Sequence, residues 1–293
     1  MNSLKIYNRN RWNLAFFEDN AYEEVLNGNY RKIHWMKYNE RDRWFADPFI
    51  LSVTDKHIVL LVEEFSYRIN RGRIAKLIVD KSSFHLLDMK IILDLDTHLS
   101  FPMIYRKNNE VFVLPENSAS GKSTLYKFDF SNEKLIPVSV ICNEPLTDAI
   151  FHKVGDQLYI FATKQPNPNG KTLSVYKVDK NTWRISKTDM IDFDRNVARN
   201  AGSIFIHDGE IFRPAQDCDG SYGKGVVIQK ITFSPNNRKF IFTDNSALYP
   251  FNFKYQLGLH TLNCHDGMFV IDGRGLLYPI LGRMVRPIIS LIK

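Results

Sequence analysis

Five carboxylates stand at or beside the ends of short apolar segments, where desolvation is costly unless the acid has a partner or a purpose. They are Asp47, Glu63, Glu116, Asp148 and Asp217. Paired carboxylates suit chemistry at an anomeric carbon: one acts as acid or base at an oxygen, and another acts as base, nucleophile or stabiliser of an oxocarbenium-like transition state. We assign Asp47, Glu116 and Asp148 as candidate catalytic residues, and Glu63 and Asp217 as candidate substrate-binding residues. A turn cap or an ion pair is the simpler interpretation for any one of them alone, and the DCDG sequence that begins at Asp217 also fits a turn.

The other candidates for substrate binding are cationic, amide or aromatic. Arginine offers a bidentate fork for phosphate or carboxylate, so Arg199, Arg213 and Lys224 together predict a basic pocket for donor phosphates. A lone histidine at the start of a strand is more often a hydrogen-bonded structural residue. The full set is His98, Arg199, Asn200, Arg213, Gln216, Tyr222, Lys224 and His260.

The elements that would bring these residues together recur about every fifty residues. Each unit contains up to four short segments rich in β-branched and aromatic residues, separated by turn signals. A repeat of this kind is typical of a β-propeller blade, whose first strand lines the central channel. Polar residues at the blade openings would therefore meet around one pocket. The openings lie at Asp47, Phe101, Asp148, Ala201 and Thr261.

The pattern predicts an all-β fold, a five-bladed β-propeller that forms a single domain over residues 1–293. We expect blades at about 45–95, 98–142, 147–190, 199–245 and 258–278. The last blade has only two clear strands. We expect N-terminal strands within 12–37 to complete it, because a ring closed by the opposite terminus leaves fewer exposed sheet edges.

Composition narrows the class of protein. The chain is 44% hydrophobic and 24% charged, which is ordinary for a globular protein. Its three cysteines lack metal-ligand spacing, so we expect neither a zinc site nor a disulfide framework. We identify no cofactor and no metal ligand, although a diphosphate donor would admit a divalent cation. The net charge of +7 comes from scattered residues, which argues against a nucleic-acid partner.

The two ends of the sequence bear on location. The sequence shows neither a signal peptide nor a membrane span, so we predict a cytoplasmic protein. The tail at 279–293 is apolar and carries Arg283, Arg286 and Lys293. One interpretation is a basic amphipathic helix at the inner face of the membrane. The other is a helix packed on the propeller or a disordered tail, and Pro287 argues against a long helix.

Two ordered groups of residues resemble the N-terminal propeller domain of plant glucosamine inositolphosphorylceramide transferases and its bacterial relatives. The first is 98–102 (HLSFP) with 114–116 (LPE), and the second is 198–202 (ARNAG) with 216–218 (QDC) and 222–224 (YGK). The resemblance covers about 45–245 and implies a five-bladed propeller.

A broader resemblance is to the propellers of glycoside hydrolase families 43, 32 and 68, which also open the first blade with Asp-Pro. In those families an Asp of blade two and a Glu of blade three take part in the chemistry. This chain has Ser100-Phe101-Pro102 and Asp148 at the corresponding openings. A hydrolase mechanism is therefore not carried over.

Three functions follow as hypotheses. The first is a glycosyltransferase of bacterial surface-polysaccharide or glycoconjugate assembly. It would transfer a furanosyl or phosphofuranosyl unit, for instance phosphoribosyl, from an activated sugar-phosphate donor to a glycan or lipid-linked acceptor. Asp47 or Glu116 would deprotonate the acceptor, Asp148 would position the sugar ring, and the arginines would hold donor phosphates. The alternatives are a furanosidase-like glycoside hydrolase and a non-catalytic carbohydrate-binding propeller.

Overall fold

Five four-stranded antiparallel sheets form the blades of a propeller in the computed structural model, which describes residues 9–236 and 239–284. The all-β, five-bladed fold class is thereby confirmed. A short helix, α1 (Tyr22–Leu26), lies between the first two strands, and residues 279–284 are helical. Residues 285–293 of the tail lie outside the described residues. The strands are β1 (Asn10–Phe17), β2 (Ile33–Trp35), β3 (Arg43–Val53), β4 (His57–Ser66), β5 (Arg71–Asp80), β6 (Leu86–Leu93), β7 (Ser100–Lys107), β8 (Glu110–Glu116), β9 (Ser123–Asp129), β10 (Lys134–Cys142), β11 (Leu146–Val154), β12 (Gln157–Lys164), β13 (Thr172–Val178), β14 (Ile185–Asp192), β15 (Phe205–His207), β16 (Glu210–Asp217), β17 (Gly225–Ser234), β18 (Lys239–Leu248), β19 (Leu262–His265) and β20 (Met268–Leu276).

Blades I to IV each use four consecutive strands: β3–β6, β7–β10, β11–β14 and β15–β18. Blade V has the order β19-β20-β1-β2, so the N-terminal strands complete it. β1 pairs antiparallel with β20 from Asn10 opposite Leu276 to Phe16 opposite Val270. The predicted closure of the ring by the N-terminus is confirmed.

Neighbouring blades pack through apolar faces. Phe49 of blade I meets Phe101 of blade II edge to face, with ring centroids 4.9 Å apart. On the other side of blade I, Leu60 shares a buried cluster with Phe16 and Val270 of blade V. Because the sheets are sandwiched between their neighbours, the apolar residues of second strands such as β4 and β12 are mostly buried on both faces.

A β-bulge opens each of the first three blades. Asp47, Phe101 and Asp148 have positive φ values of 50°, 44° and 44°, and the strand register shifts across each of them. Aspartate tolerates this left-handed region better than most residues, whereas Phe101 adopts it within a tightly packed core. A bulge re-aims a side chain locally. First strands begin and second strands end on one face of the ring, which we call the carboxylate face.

The fourth opening is irregular. The sequence predicts a strand over 201–207, but β15 begins only at Phe205. Before it, Asn200 forms a single bridge to Ala215. A Cβ placed on Gly202 would lie 1.9 Å from the carbonyl oxygen of Leu262. The chain therefore presses against the inner strand of blade V at this point and leaves the regular ladder of its own blade.

Candidate functional site

Five acidic side chains converge on the carboxylate face, and we call them the carboxylate cluster. Asp47 and Asp148 open first strands, and Glu63 and Glu116 lie near the ends of the second strands β4 and β8. The fifth is Asp272 of β20. Their side chains are almost excluded from solvent, and Glu116 is the most accessible at 14% exposure. Burial raises the pKa of Asp47, and the nearby charges of Asp148 and Asp272 raise it further, against a lowering by a neighbouring imidazole.

Asp47 joins three blades. Its Oδ2 accepts a hydrogen bond from the backbone N–H of Phe101 at 3.0 Å, and its Oδ1 accepts one from the hydroxyl of Thr261 at 2.8 Å. Its own N–H donates to Oδ2 of Asp272 at 3.2 Å. The left-handed backbone at Asp47 is held by these bonds to blades II and V.

His260 lies between two carboxylates. Its Nδ1 is 2.6 Å from Oδ2 of Asp272, and its Nε2 is 3.6 Å from Oδ1 of Asp47. Trp12 stacks on the imidazole with a centroid distance of 4.0 Å. Burial lowers the pKa of His260, but the charges of Asp272 and Asp47 outweigh it, so the net pKa lies above the ordinary value.

Sequence reasoning missed Asp272 and Trp12. Asp272 faces Thr261 across the first two strands of blade V, as Glu63 faces Ala46 and as Glu116 faces Ser100 in theirs. The repeat register of the second strands was therefore the signal that could have found it. Trp12 had no comparable signal, because it belongs to a strand that reaches the site only when the ring closes.

Asp148 is held by cationic and amide groups of blade IV. Its Oδ2 accepts from Nε of Arg199 at 2.6 Å and from Nε2 of Gln216 at 2.7 Å. Its N–H donates to Oε2 of Glu116 at 3.3 Å, which in turn lies 3.6 Å from a guanidinium nitrogen of Arg199. Burial raises the pKa of Asp148 to about 7, with Arg199 lowering it and Glu116 raising it. A carboxyl whose pKa lies near 7 suits general acid–base chemistry at neutral pH.

Glu63 pairs with His98 at the edge of the carboxylate cluster. The backbone N–H of Gly72 donates to Nδ1 of His98 at 2.9 Å, so the neutral ring carries its proton on Nε2, which lies 3.3 Å from Oε1 of Glu63. That oxygen makes no hydrogen bond of normal geometry. Burial raises the pKa of Glu63 well above its usual range, and the charge of Asp47 adds to the effect. Burial lowers the pKa of His98, whose side chain is half-exposed.

Tyr222 covers the cluster from the loop between β16 and β17. The guanidinium carbon of Arg199 lies 4.8 Å from its ring centroid, and the ring meets His260 edge-on at 5.4 Å. Gly223 has a φ of 64°, and a Cβ there would lie 3.2 Å from Cβ of His260. The tight backbone approach at Gly223 thus sets the loop down on the site, and the exposed faces of Tyr222 and His98 mark its mouth.

Arg213 and Asn200 do not face the mouth. Arg213 is fully buried, and its guanidinium donates to Oδ1 of Asn200, Oε1 of Gln229 and two backbone carbonyls. Asn200 donates both its amide protons to blade III, at the carbonyls of Asp148 and Phe161. Their hydrogen-bonding groups are committed inside the protein, so they cannot contact a substrate in this arrangement. Asn200 holds the backbone of Asp148 directly, and Arg213 holds Asn200.

Lys224 and Asp217 partner each other. The Lys224 ammonium lies 3.3 Å from Oδ2 of Asp217, which also accepts the hydroxyl of Tyr249. Oδ1 of Asp217 accepts the N–H of Asp219, so the acid caps a turn. The expected basic pocket of Arg199, Arg213 and Lys224 is therefore wrong. Of the three, only Arg199 contacts the carboxylate cluster, and the centre of the site is acidic.

One group within the described ranges could hold a cation. Asp47, His260 and Asp272 each offer a ligand atom, and these atoms lie within 4.8 Å of one another. Two carboxylates and an imidazole suit a divalent ion. In the structure the same atoms bond to one another and to backbone amides, as described above.

The fold and the site together define a class of protein. It is a propeller that carries an acidic, partly covered cluster at one end of its channel. The family described as "Glucosamine inositolphosphorylceramide transferase 1, N-terminal" matches residues 34–245, and the chain belongs to this family. It is 32% identical over 205 residues to glucosamine inositolphosphorylceramide transferase 1 of Arabidopsis thaliana, and 28% identical over 195 residues to the protein of that name from Oryza sativa subsp. japonica. The match covers 64% of this chain in both cases, but only 25% and 26% of the two relatives.

Solved structures share the fold at low identity. CoXyl43, a GH43 β-xylosidase/α-arabinofuranosidase from a compost microbial metagenome, has a TM-score of 0.55 and 10% identity over 82% of this chain and 93% of its own. The GH43_1 enzyme from Xanthomonas citri, complexed with xylose, has a TM-score of 0.54 and 10% identity over 81% and 87% of the two chains. These likenesses establish the propeller alone. In the ranges described, no helix has the length and apolarity needed to cross a bilayer.

Proposed function

We propose that this chain binds a sugar at the carboxylate cluster and transfers a glycosyl unit to an acceptor hydroxyl. The observation that carries the proposal is the convergence of five acids around the guanidinium of Arg199 and the imidazole of His260. Membership of a family that takes its name from a transferase supports transfer over hydrolysis. Because the chain spans about a quarter of those relatives, the reaction of the whole relatives enters here only as support.

The acids of the carboxylate cluster take different chemical roles in this proposal. Glu116 is the most exposed member and lies beside Arg199, so it can take the proton of an acceptor hydroxyl. Asp47 and Asp148 are fixed by hydrogen bonds and place carboxyl oxygens where a sugar ring would develop positive charge. Arg199 lies against Tyr222 beside the mouth and is the cation that could contact a leaving group.

The donor and acceptor are finer proposals. A furanosyl or phosphofuranosyl donor, including a phosphoribosyl one, would have to place its phosphates near Arg199, because Lys224 and Arg213 are engaged elsewhere. The relatives' name specifies a glucosamine unit and an inositolphosphorylceramide. We propose an acceptor of the same chemical kind, a hydroxyl-rich head on a lipid or glycan, and a cytoplasmic location stays a prediction.

A second candidate, a non-catalytic carbohydrate-binding propeller, is favoured by one observation. Both oxygens of Asp47 and one of Asp148 accept hydrogen bonds that tie blades together. Such acids could hold the ring shut and bind sugar hydroxyls without doing chemistry.

The test is direct. The full chain is incubated with phosphoribosyl diphosphate or nucleotide-activated sugars and with inositol-containing lipids or glycans, with and without Mg²⁺, and product is followed by mass spectrometry. We expect product with the wild type, a loss of about a hundredfold or more in Glu116→Gln, and no change in Asp88→Asn, an exposed acid of β6. Sugar binding by calorimetry without turnover on any pair would overturn transfer and leave the binding propeller.

A further inference from the structure

Large apolar side chains are exposed on two segments that are far apart in sequence. Phe251 and Phe253 follow β18, and Ile280, Leu281 and Met284 belong to the helical residues after β20; these five form the apolar rim. Phe253 is 60% exposed and Met284 67%. The guanidinium carbon of Arg283 lies 3.6 Å from the Phe253 ring centroid, and Arg283 donates to the Phe253 carbonyl oxygen. These contacts join the two segments into one surface.

The apolar rim lies on the same face as the carboxylate cluster. Leu248, the last residue of β18, pairs with Val226 near the start of β17. The residue before it, Gly225, pairs with Asp217 at the end of β16. Tyr249 then donates to Asp217, the residue after Gln216, which binds Asp148. The helical residues follow Leu276, where β20 ends on that face. The rim therefore stands beside the mouth of the site.

The two segments that carry the rim are basic. Within the described part of the chain, 249–265 and 273–284 contain no Asp or Glu. They contain Lys254, Arg274 and Arg283. Exposed aromatic residues among cationic ones are the composition of segments that lie in an anionic bilayer interface. A second copy of the chain on the same surface would instead set these positive charges against each other.

We propose that the apolar rim and its basic residues dock on an anionic lipid surface and turn the mouth of the carboxylate cluster toward it. This inference rests on the proposed transfer only in that the surface would carry the acceptor. Docking itself needs no donor and no turnover. Phenylalanine rings enter the interface, arginine and lysine meet lipid phosphates, and Tyr222 and His98 face the headgroups.

The experiment is co-sedimentation of the full chain with vesicles of phosphatidylcholine, with and without phosphatidylglycerol. We expect binding to the anionic vesicles that weakens as salt rises. Phe251→Ser/Phe253→Ser should weaken it about tenfold or more, because the apolar contacts are lost. Phe130→Ser is the matched control: Phe130 is 59% exposed, but it lies in the β9–β10 turn at the opposite end of the ring. Circular dichroism verifies that each variant is folded.

Three results would overturn the docking. One is absence of binding to the anionic vesicles. Another is a loss of binding in Phe130→Ser that equals the loss in Phe251→Ser/Phe253→Ser. The third is a wild-type dimer in light scattering that becomes a monomer in Phe251→Ser/Phe253→Ser, which would assign the rim to a second copy. Sugar transfer to a water-soluble acceptor is measured in parallel, so failure of docking leaves the proposed function intact and failure of transfer leaves docking intact.

Discussion

The backbone N–H of Asp47 donates to Oδ2 of Asp272 at 3.2 Å, and this bond links the opening of blade I to the second strand of blade V. The same relationship recurs between Asp148 and Glu116 at 3.3 Å, across blades III and II. In both pairs an acid of a second strand accepts the amide of a left-handed aspartate in the neighbouring blade. The acids of the site therefore also hold neighbouring blades together. Variants should consequently be isosteric if chemistry and stability are to be separated.

Asp148→Asn should flatten the pH dependence of stability. The pKa of Asp148 is about 7 in the folded protein, against an ordinary value of 3.8. A raised carboxyl pKa favours folding at low pH, and this contribution is lost as pH rises through the folded value. We expect the wild-type free energy of unfolding to fall between pH 5 and 7 by up to about 1.4 kcal/mol per unit for this group. Urea titrations at pH 5, 6, 7 and 8 measure it.

The exposed acid of β6 supplies the control for that titration. Asp88→Asn should leave the wild-type slope unchanged between pH 5 and 7. Asp47 and Glu63, whose pKa values are also raised by burial, contribute slopes of the same sign, so Asp148→Asn should reduce the slope and not abolish it. An unchanged slope in Asp148→Asn would contradict the raised pKa.

Arg199→Met should destabilise the fold strongly at neutral pH. It removes the cation that contacts both Asp148 and Glu116 and leaves buried negative charge without a partner. Removing one member of a buried ion pair costs about 3–5 kcal/mol. The loss should be smaller at pH 5, where Asp148 takes up a proton. A loss that is the same at pH 5 and pH 7 would show that packing, and not charge, is what Arg199 supplies.

Local patterns were enough to predict the fold, since each blade repeats its own strands and turns, and the repeat register placed Asp47 and Asp148 at equivalent positions. The direction of individual side chains was harder. Gln216 and Asp217 are neighbours on one strand, so they point to opposite faces and could not both reach the site. Alternation also puts Arg213 and Gln216 on opposite faces. Applied to β16, that rule would have removed Arg213 from the basic pocket, whereas the position of Trp12 depends on ring closure and could not be read locally.

Gly202→Ala should disrupt the junction of blades IV and V. The added Cβ would lie 1.9 Å from the carbonyl oxygen of Leu262, and backbone atoms must move to admit it. Overpacking of this kind costs about 1–3 kcal/mol or more. Gly155→Ala is the matched control, because Gly155 has a φ of 53° and no atom within 4 Å of its Cβ position. Urea midpoints of the two variants should differ in this order, and equal midpoints would refute the close approach at Gly202.

Arg213→Lys should lower stability without changing the affinity for donor. The guanidinium of Arg213 bonds to Asn200, Gln229 and two carbonyls in a site without solvent, and lysine cannot reproduce that planar set of donors. We expect a loss of about 2–4 kcal/mol in the free energy of unfolding, with KM for the donor unchanged in the folded fraction. Arg199→Lys should instead raise KM for the donor, since Arg199 lies beside the mouth. If Arg213→Lys raised KM at unchanged stability, Arg213 would be a phosphate ligand after all, and the pocket would have to open behind Asn200 when substrate binds.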